Sequence, residues 1–475
     1  MQVTERMRPF DDIVGWGLPH HRLLGGLPSA PSCDGRSRKA TLRFGILLVW
    51  MLPLCLLAKT ETGAGAAEPI KYAIKAHKIV TMTPVEEFAT GKNVINNGVI
   101  LVSGGKIEAI GAASSIAIPR GYTLIDASDR WVTPGIVEPH THVGTEGGFN
   151  DMVTPINPEL RIDDCVNPED VGIKAAVTGG VTTIHTMPGS GTNLAGFTVI
   201  IKLDTSCPEK MILREIGAMK IAQAYNPERR GGDLGRTRMG MSWSLRQMLK
   251  QAKAYTQAWQ EYEQGKRKEK PEYKPELENM RKAFTGEIPT IVHTCEGWGV
   301  VQTIRMFHEE NHLKVIATHA EYGGYIVGAE AAKRDGVWID VGPALWTFLS
   351  WNPEMDNRFH GGAAEFYDAG VRNLSINTDS VGFGDQEELA FNASMSARMG
   401  LDDEVALKAI TINPARALDI DGRVGSLEVG KDADIVIKRG SLLDCTTPVD
   451  LVLINGKVVY QRGGVDLVIK KRADT

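Results

Sequence analysis

The 475-residue chain lacks the features that mark several classes of protein. Its six cysteines include no Cys-x-x-Cys pair, so the sequence encodes neither a disulfide scaffold nor a zinc ribbon. The formal net charge is only −5, and no basic run carries interleaved aromatic residues, which argues against a nucleic-acid partner. No internal repeat or low-complexity tract occurs. What remains, with 43% hydrophobic and 23% charged residues, is typical of a globular protein.

The sequence has no apolar run as long as a membrane span, and the apolar run near the N-terminus is short. Residues 44–58 are apolar, follow a basic stretch at 36–43 and precede small residues at 63–67. This order is typical of a secretory signal peptide, whereas a bilayer span needs about 20 residues. We expect residues 1–67 to be an N-terminal extension with a signal peptide, and the mature protein to be periplasmic or secreted. A membrane anchor formed by residues 44–58 is the alternative.

Strand-rich segments occur at both ends of the remaining chain. Residues 98–110 contain a Gly-Gly turn between two β-prone runs, and residues 450–461 contain Asn455-Gly456, a candidate type I′ turn. Two such blocks at opposite ends can form one small sheet domain with the middle of the chain inserted between them. We therefore expect residues 68–133 and 422–475 to form one β domain.

The middle of the chain, residues 134–421, alternates between apolar β-branched runs and helix-prone stretches. This alternation predicts βα units around a parallel sheet, and the length allows eight units plus an insertion. The insertion, at about 229–287, is polar and helix-prone, with apolar residues at helical spacing between Leu245 and Trp259. We expect a solvated helix that covers the barrel; a lid over the functional site is the alternative.

Four histidines and one aspartate stand at the ends of these apolar runs. His140 and His142 are two residues apart and therefore point the same way from an extended segment, while His293, His319 and Asp379 each end a run. Active sites of α/β barrels are built at the carboxyl ends of the strands. Imidazole and carboxylate groups bind zinc and similar divalent ions and leave a position for water. The pattern predicts a metal-dependent catalytic site.

Three segments resemble the amidohydrolase superfamily, and within it the imidazolonepropionase-like branch. They are PGIVEPHTHV at 134–143, NTDS at 377–380 and NPARALDIDGRVGSLEVGKDADIVI at 413–437, and the resemblance covers roughly residues 70–462. It implies a (β/α)8 TIM-like barrel with a small β-sandwich domain built from both ends of the chain. It also implies a metal-dependent hydrolase that cleaves an amide, peptide or cyclic amide bond of a small molecule.

The resemblance assigns roles to the strand-end residues. His140 and His142 match the metal ligands of the first barrel strand, His293 that of the fifth, His319 that of the sixth and Asp379 that of the eighth. A divalent metal, zinc by its ligands, would lower the pKa of a bound water towards about 7. Asp379 would then act as general base and general acid, and His319 would help to polarise the scissile carbonyl.

The number of metal ions depends on Lys220. Binuclear members of the superfamily use a carboxylated lysine to bridge two metals, and Lys220 is the candidate here. Without carboxylation, one metal is held by the remaining ligands. A surface or salt-bridging lysine is the alternative role for this residue.

The substrate is less defined by the sequence. His185 ends an early strand-like run and could line a pocket, and Arg161 could meet a substrate carboxylate; a structural histidine and a surface ion pair are the alternatives. The signal peptide favours a peptidase or amidase over imidazolonepropionase itself. A deaminase using the same metal site and a non-catalytic barrel that binds a partner remain as alternatives, and a homo-oligomer is left open.

Overall fold

The computed structural model describes residues 70–83, 93–204, 207–224, 226–229, 237–343, 346–347, 359–381 and 386–471. The chain divides into Met1–Ala66 and Ala67–Thr475, and the predicted signal peptide lies outside the described residues. Among the described helices, none is both long and apolar enough to cross a membrane.

An eight-stranded sheet joins the two ends of the Ala67–Thr475 unit. Its strand order is β19-β18-β17-β4-β1-β2-β3, with β20 also pairing to β4. The strands are β1 (Lys71–Val80), β2 (Val94–Ser103), β3 (Lys106–Ala112), β4 (Thr123–Pro134), β17 (Ile435–Lys438), β18 (Val449–Ile454), β19 (Lys457–Gln461) and β20 (Val468–Lys471).

Two tight turns define hairpins of this sheet. Gly104 and Gly105, with φ of 58° and 81°, connect β2 to β3, and Asn455 and Gly456, with φ of 49° and 70°, connect β18 to β19. Two successive residues with positive φ make the mirror-image turns whose twist matches that of antiparallel strands. Both hairpins predicted from the sequence are confirmed.

The middle of the chain contributes two further sheets. Six strands lie in the order β16-β13-β12-β11-β10-β7 and four in the order β5-β6-β8-β9. Their bounds are β5 (Ile136–Thr141), β6 (Val181–Thr186), β7 (Leu194–Phe197), β8 (Val199–Lys202), β9 (Ile212–Arg214), β10 (Met219–Ala222), β11 (Thr290–Thr294), β12 (Val315–His319), β13 (Val337–Val341) and β16 (Leu374–Ile376), beside a short pair, β14 (Trp346–Thr347) and β15 (His360–Gly361).

Parallel pairing dominates these two sheets. Strands β10, β11, β12, β13 and β16 are successive parallel neighbours, and β5 is parallel to β6. The antiparallel strands β7 and β8 interrupt the expected regular order of eight parallel strands. The described residues therefore show mixed α/β sheets, with the predicted runs forming parallel strands.

Helices follow or separate these strands. They are α1 (Val171–Thr178), α2 (Pro208–Met211), α3 (Arg238–Glu263), α4 (Pro275–Phe284), α5 (Glu296–Thr303), α6 (Gly328–Ala332), α7 (Gly362–Asp368), α8 (Leu389–Arg398), α9 (Asp403–Lys408) and α10 (Ile412–Ala417). A π-helical turn, Ile304–Glu309, continues α5.

The long helix α3 forms where the sequence predicts an inserted helix. The Thr237 side chain caps its first turn by accepting from Gly240 N at 3.1 Å. Leu245, Leu249 and Tyr255 lie on one face and are buried, so the helix packs against the core along the stripe that its spacing predicts.

Candidate active site

His140, His142 and Asp379 form a compact group where β5 ends. The Nε2 atoms of His140 and His142 lie 3.3 and 3.4 Å from the same oxygen, Asp379 Oδ1. One ligand atom from each residue lies within 4.8 Å of the others. The backbone holds this arrangement, because Asp379 N donates to His140 O at 3.1 Å and His142 N donates to Ser380 O at 2.8 Å. The histidines are buried, and the aspartate side chain is 26% exposed.

His293 and His319 extend the group from β11 and β12. The His319 ring centroid lies 4.1 Å from that of His293 and 4.8 Å from that of His140. Within the described residues, neither ring nitrogen of His293 nor Nε2 of His319 has a hydrogen-bond partner of normal geometry, although all three atoms are buried. A neutral imidazole keeps one ring-nitrogen lone pair, so His293 and His319 each offer one; because unpaired buried polar atoms cost free energy, these lone pairs fit a bound metal.

The protonation of His140 and His293 also suits metal binding. Burial, followed by the charge of Lys220, lowers the pKa of His140 well below its usual range, and burial with His319 does the same for His293. Burial opposes the charged form of His319 as well, but Asp379 and Glu321 outweigh it and raise the pKa of His319. Neutral imidazoles are the form that binds a metal ion.

Backbone carbonyls orient two of these rings. Nδ1 of His142 lies 2.8 Å from Met187 O, and Nδ1 of His319 lies 2.7 Å from Gly342 O. A carbonyl oxygen can only accept, so Nδ1 must carry the proton and Nε2 keeps its lone pair. Both rings therefore present Nε2 as the ligand atom.

Lys220 reaches the same centre from β10. Its Nζ is fully buried, 3.2 Å from His140 Nε2 and 3.3 Å from Met187 Sδ. Burial lowers the pKa of Lys220 to about 7, although the charges of Asp379 and Asp340 act in the opposite direction. The structure thus brings Lys220 together with four histidines and the aspartate that the sequence singled out.

The backbone carries strain at two of these residues. His319 and Asp379 have φ of 71° and 48°, a region that non-glycine residues rarely occupy. Such conformations cost about 1–3 kcal/mol each and persist where the surrounding contacts enforce them. His319 ends β12 and Asp379 lies three residues beyond β16, and both contribute to the cluster, as is common at catalytic sites.

Glu138, which sequence reasoning passed over, enforces part of this geometry. Its carboxylate is fully buried and accepts from His140 N at 3.0 Å, Thr378 N at 3.1 Å and Gln386 Nε2 at 2.9 Å. It therefore links the end of β5 to the segment that carries Asp379. A glutamate within the apolar run GIVEPH was the available signal.

His185 and Arg161 are held by contacts within the chain. Nδ1 of His185 donates to Pro139 O at 2.8 Å and Nε2 lies 2.5 Å from Thr198 Oγ1, so both ring nitrogens are occupied. Arg161 Nε donates to Asp163 Oδ1 at 2.9 Å, and its guanidinium also contacts Glu215. A substrate contact by a ring nitrogen of His185 would require one of its bonds to break, whereas Arg161 is partly exposed and remains a predicted substrate contact.

A cavity of about 500 Å³ adjoins the cluster. The Phe149 ring lines it and stacks on His142, with ring centroids 4.6 Å apart and an angle of 11° between the ring planes. Its other walls include both apolar residues, among them Leu160 and Ile162, and polar residues, among them Asp151 and the predicted substrate contact Arg161. A cavity of this size accommodates a small molecule.

The sequence model of the amidohydrolase family matches residues 131–459, which contain the whole cluster. The chain belongs to the amidohydrolase family. The family is metal-dependent, and this amidohydrolase is an enzyme that acts on carbon–nitrogen bonds. The resemblance to the imidazolonepropionase-like branch is confirmed.

This amidohydrolase is 25% identical over 380 residues to amidohydrolase tasK of Hapsidospora irregularis, a match covering 72% of this chain but only 37% of tasK. It is 23% identical over 407 residues to an imidazolonepropionase of Thermoplasma acidophilum, covering 78% of this chain and 91% of that protein. A 5-methylthioadenosine/S-adenosylhomocysteine deaminase of Moorella thermoacetica is 21% identical over 421 residues, covering 78% and 92%. A solved amidohydrolase structure from Thermotoga maritima has a TM-score of 0.72 and 27% identity, covering 82% of this chain and 100% of that one.

Proposed function

We propose that this amidohydrolase binds Zn²⁺ through His140, His142, His293, His319 and Asp379 and hydrolyses an amide or cyclic amide bond of a small molecule. The observation that carries the proposal is the convergence of these side chains with buried ring nitrogens left open on His293 and His319. Imidazole nitrogen and carboxylate oxygen are the donors that zinc takes in catalytic sites.

The protein's own groups supply the proton transfers. When bound, zinc would polarise the scissile carbonyl and acidify a water molecule. The Asp379 carboxylate, which is the most solvent-exposed member of the cluster, would accept the proton of that water and deliver it to the leaving nitrogen. Burial raises the pKa of Asp379, but the neighbouring His319, His142 and Lys220 outweigh that effect and lower it, which keeps the carboxylate ionised as a base. His319 would assist at the carbonyl oxygen.

We also propose the type of barrel, the domain division and the number of metal ions. We propose that β5, β6, β10–β13 and β16 belong to a closed (β/α)8 barrel, because the ligands stand at the carboxyl ends of parallel strands. The eight-stranded sheet would be a separate β-sandwich domain of residues 68–133 and 422–475. Carboxylated Lys220 would hold a second zinc ion beside the first, and a neutral amine with a pKa of about 7 favours this modification.

Secretion is part of the proposal and rests on the sequence alone. The order of basic, apolar and small residues between 36 and 67 supports a signal peptide and a periplasmic or secreted enzyme.

A deaminase is the second candidate function, supported by the similarity to a deaminase over most of both chains. The two reactions share the site and differ in substrate.

The test combines metal analysis, a substrate panel and one variant. The zinc-loaded enzyme is assayed with dipeptides, N-acyl amino acids, cyclic amides and aminated nucleosides, with product and ammonia measured. Asp379→Asn should retain zinc but lose about 10²–10⁴-fold in turnover, the usual range for removing a general acid–base. Asp335→Asn, at an exposed position outside the cluster, is the matched control and should behave as wild type.

Each outcome distinguishes the candidates. Cleavage of amides without ammonia release from nucleosides supports the proposal, whereas ammonia release alone favours the deaminase. Near-normal turnover in Asp379→Asn contradicts the proton-transfer role. Protein that takes up no stoichiometric zinc in chelator-free buffer would support a binding protein instead.

A further inference from the structure

His140 differs from the other oriented rings of the cluster. His142 and His319 donate through Nδ1 to backbone carbonyls, which fixes their tautomer. Nδ1 of His140 instead lies 2.6 Å from Thr318 Oγ1. A hydroxyl can either donate or accept, so Thr318 by itself leaves the tautomer of His140 undecided.

Asp340 removes that ambiguity. It lies fully buried on β13, and its Oδ2 is 2.7 Å from Thr318 Oγ1. A carboxylate can only accept, so the hydroxyl proton must point to Asp340. The Thr318 oxygen then accepts the Nδ1 proton of His140, and His140 Nε2 keeps the lone pair that faces Asp379.

Burial raises the pKa of Asp340, and three hydrogen-bond donors oppose that effect by stabilising the ionised carboxylate. Ser375 Oγ lies 2.8 Å from Oδ1, and Asn377 Nδ2 donates to Oδ2 at 2.9 Å. Together with Thr318, three polar groups converge on the carboxylate, and none of them is a cation. Asn377 stands two residues before Asp379, so the same carboxylate also steadies the segment that carries this ligand.

We propose that Asp340 and Thr318 form a relay that sets the tautomer of His140, so that Nε2 is available to the metal. The relay rests on the proposed function, because it assumes that His140 is a zinc ligand. Both members are positioning residues, since neither offers an atom to the metal. Strand β13 contributes no predicted metal ligand, but through Asp340 it sets the tautomer of the ligand His140 on β5.

Zinc affinity tests the relay directly. Metal-depleted protein is titrated with Zn²⁺ in competition with a chromogenic chelator. Thr318→Val keeps the side-chain volume but removes the hydroxyl, and zinc should bind about 10–100-fold more weakly, as is typical when a partner of a metal-binding histidine is lost. Thr318→Ser should restore most of the affinity, and Asp340→Asn should weaken binding in the same direction as Thr318→Val.

A matched control separates the relay from general damage to the core. Thr290 is a buried threonine on the neighbouring strand β11, and its hydroxyl has no partner within the described residues. Thr290→Val should bind zinc as wild type does. ¹⁵N spectra of the metal-free protein should show the His140 ring protonated on Nδ1 in wild type and redistributed towards Nε2 in Thr318→Val.

The outcomes distinguish the relay from the proposed function. Zinc binding by Thr318→Val that equals wild type, or a serine variant as weak as the valine variant, overturns the relay and leaves the zinc site intact. A wild-type protein that binds no zinc overturns the proposed function itself. If circular dichroism shows that Thr318→Val does not fold, the zinc affinities of Asp340→Asn and Thr318→Ser are compared instead. Zinc affinities that both equal that of the wild type reject the relay.

Discussion

The proposed carboxylation of Lys220 can be tested by varying the pH in the presence of carbon dioxide. Its amine is buried beside His140 Nε2 and Met187 Sδ, and burial lowers the pKa of Lys220 to about 7. With that pKa, about 90% of the amine is neutral at pH 8 and about 10% at pH 6. Only the neutral amine attacks carbon dioxide, forming an N–C bond and releasing one proton to give a carbamate.

The initial rate of carbamate formation at Lys220 should therefore rise about tenfold between pH 6 and pH 8, at a fixed partial pressure of carbon dioxide. The assay is ¹³C NMR of metal-depleted protein under labelled carbon dioxide, followed by zinc analysis. Lys220→Met should lack the signal. Lys202 is an internal control, because it is equally buried but its ammonium contacts the carboxylates of Asp432 and Asp434.

Stability supplies a second measure of the same buried amine. The pKa of Lys220 is lowered on folding, from 10.5 to about 7, so the unfolded chain binds the proton more tightly. The folded metal-free protein should lose stability as pH falls from about 10 towards 7. Metal-depleted Lys220→Met should therefore melt above wild type at pH 7, with the difference shrinking towards pH 10. Carbamate missing at pH 8, or equal melting at every pH, would refute the reasoning.

Three further predictions concern individual side-chain contacts. Glu138→Gln places an amide against donors that need an acceptor and should cost about 1–3 kcal/mol in denaturant unfolding; an unchanged midpoint would contradict the bracing role. Lys202→Met leaves the buried Asp434 carboxylate without its cation and should cost about 3–5 kcal/mol. Lys106→Met, whose ammonium is 46% exposed, should cost less than about 1 kcal/mol in the same unfolding assay. Phe149→Ala should raise KM for amide substrates more than it lowers kcat, and a pure kcat effect in steady-state kinetics would place Phe149 outside the substrate cavity.

Local patterns in the sequence predicted the elements that depend on local physics. The runs ending at His293 and His319 are parallel strands, and the turn at Asn455-Gly456 forms the predicted hairpin. The two-residue spacing of His140 and His142 places both rings beside Asp379, because side chains alternate along a strand. In each case the deciding interaction lies within a few residues of the chain.

Contacts between distant segments were not readable in this way. Glu138 and Asp340 are carboxylates in apolar strands, and their partners come from segments up to 248 residues away in the sequence. His185 looked available for a substrate, yet Pro139 and Thr198 contact both of its ring nitrogens. A single sequence does not state which buried polar groups will meet.

The sequence by itself determined which residues end the strands, and so which side chains were candidates for the metal centre. Only the tertiary structure decided how those side chains are protonated and oriented. Lys220 acquires its lowered pKa from burial, and His140 acquires its tautomer from Thr318 and Asp340 on two other strands. The physical reason is that strand periodicity is a local property, whereas desolvation and hydrogen-bond direction depend on groups brought together by folding.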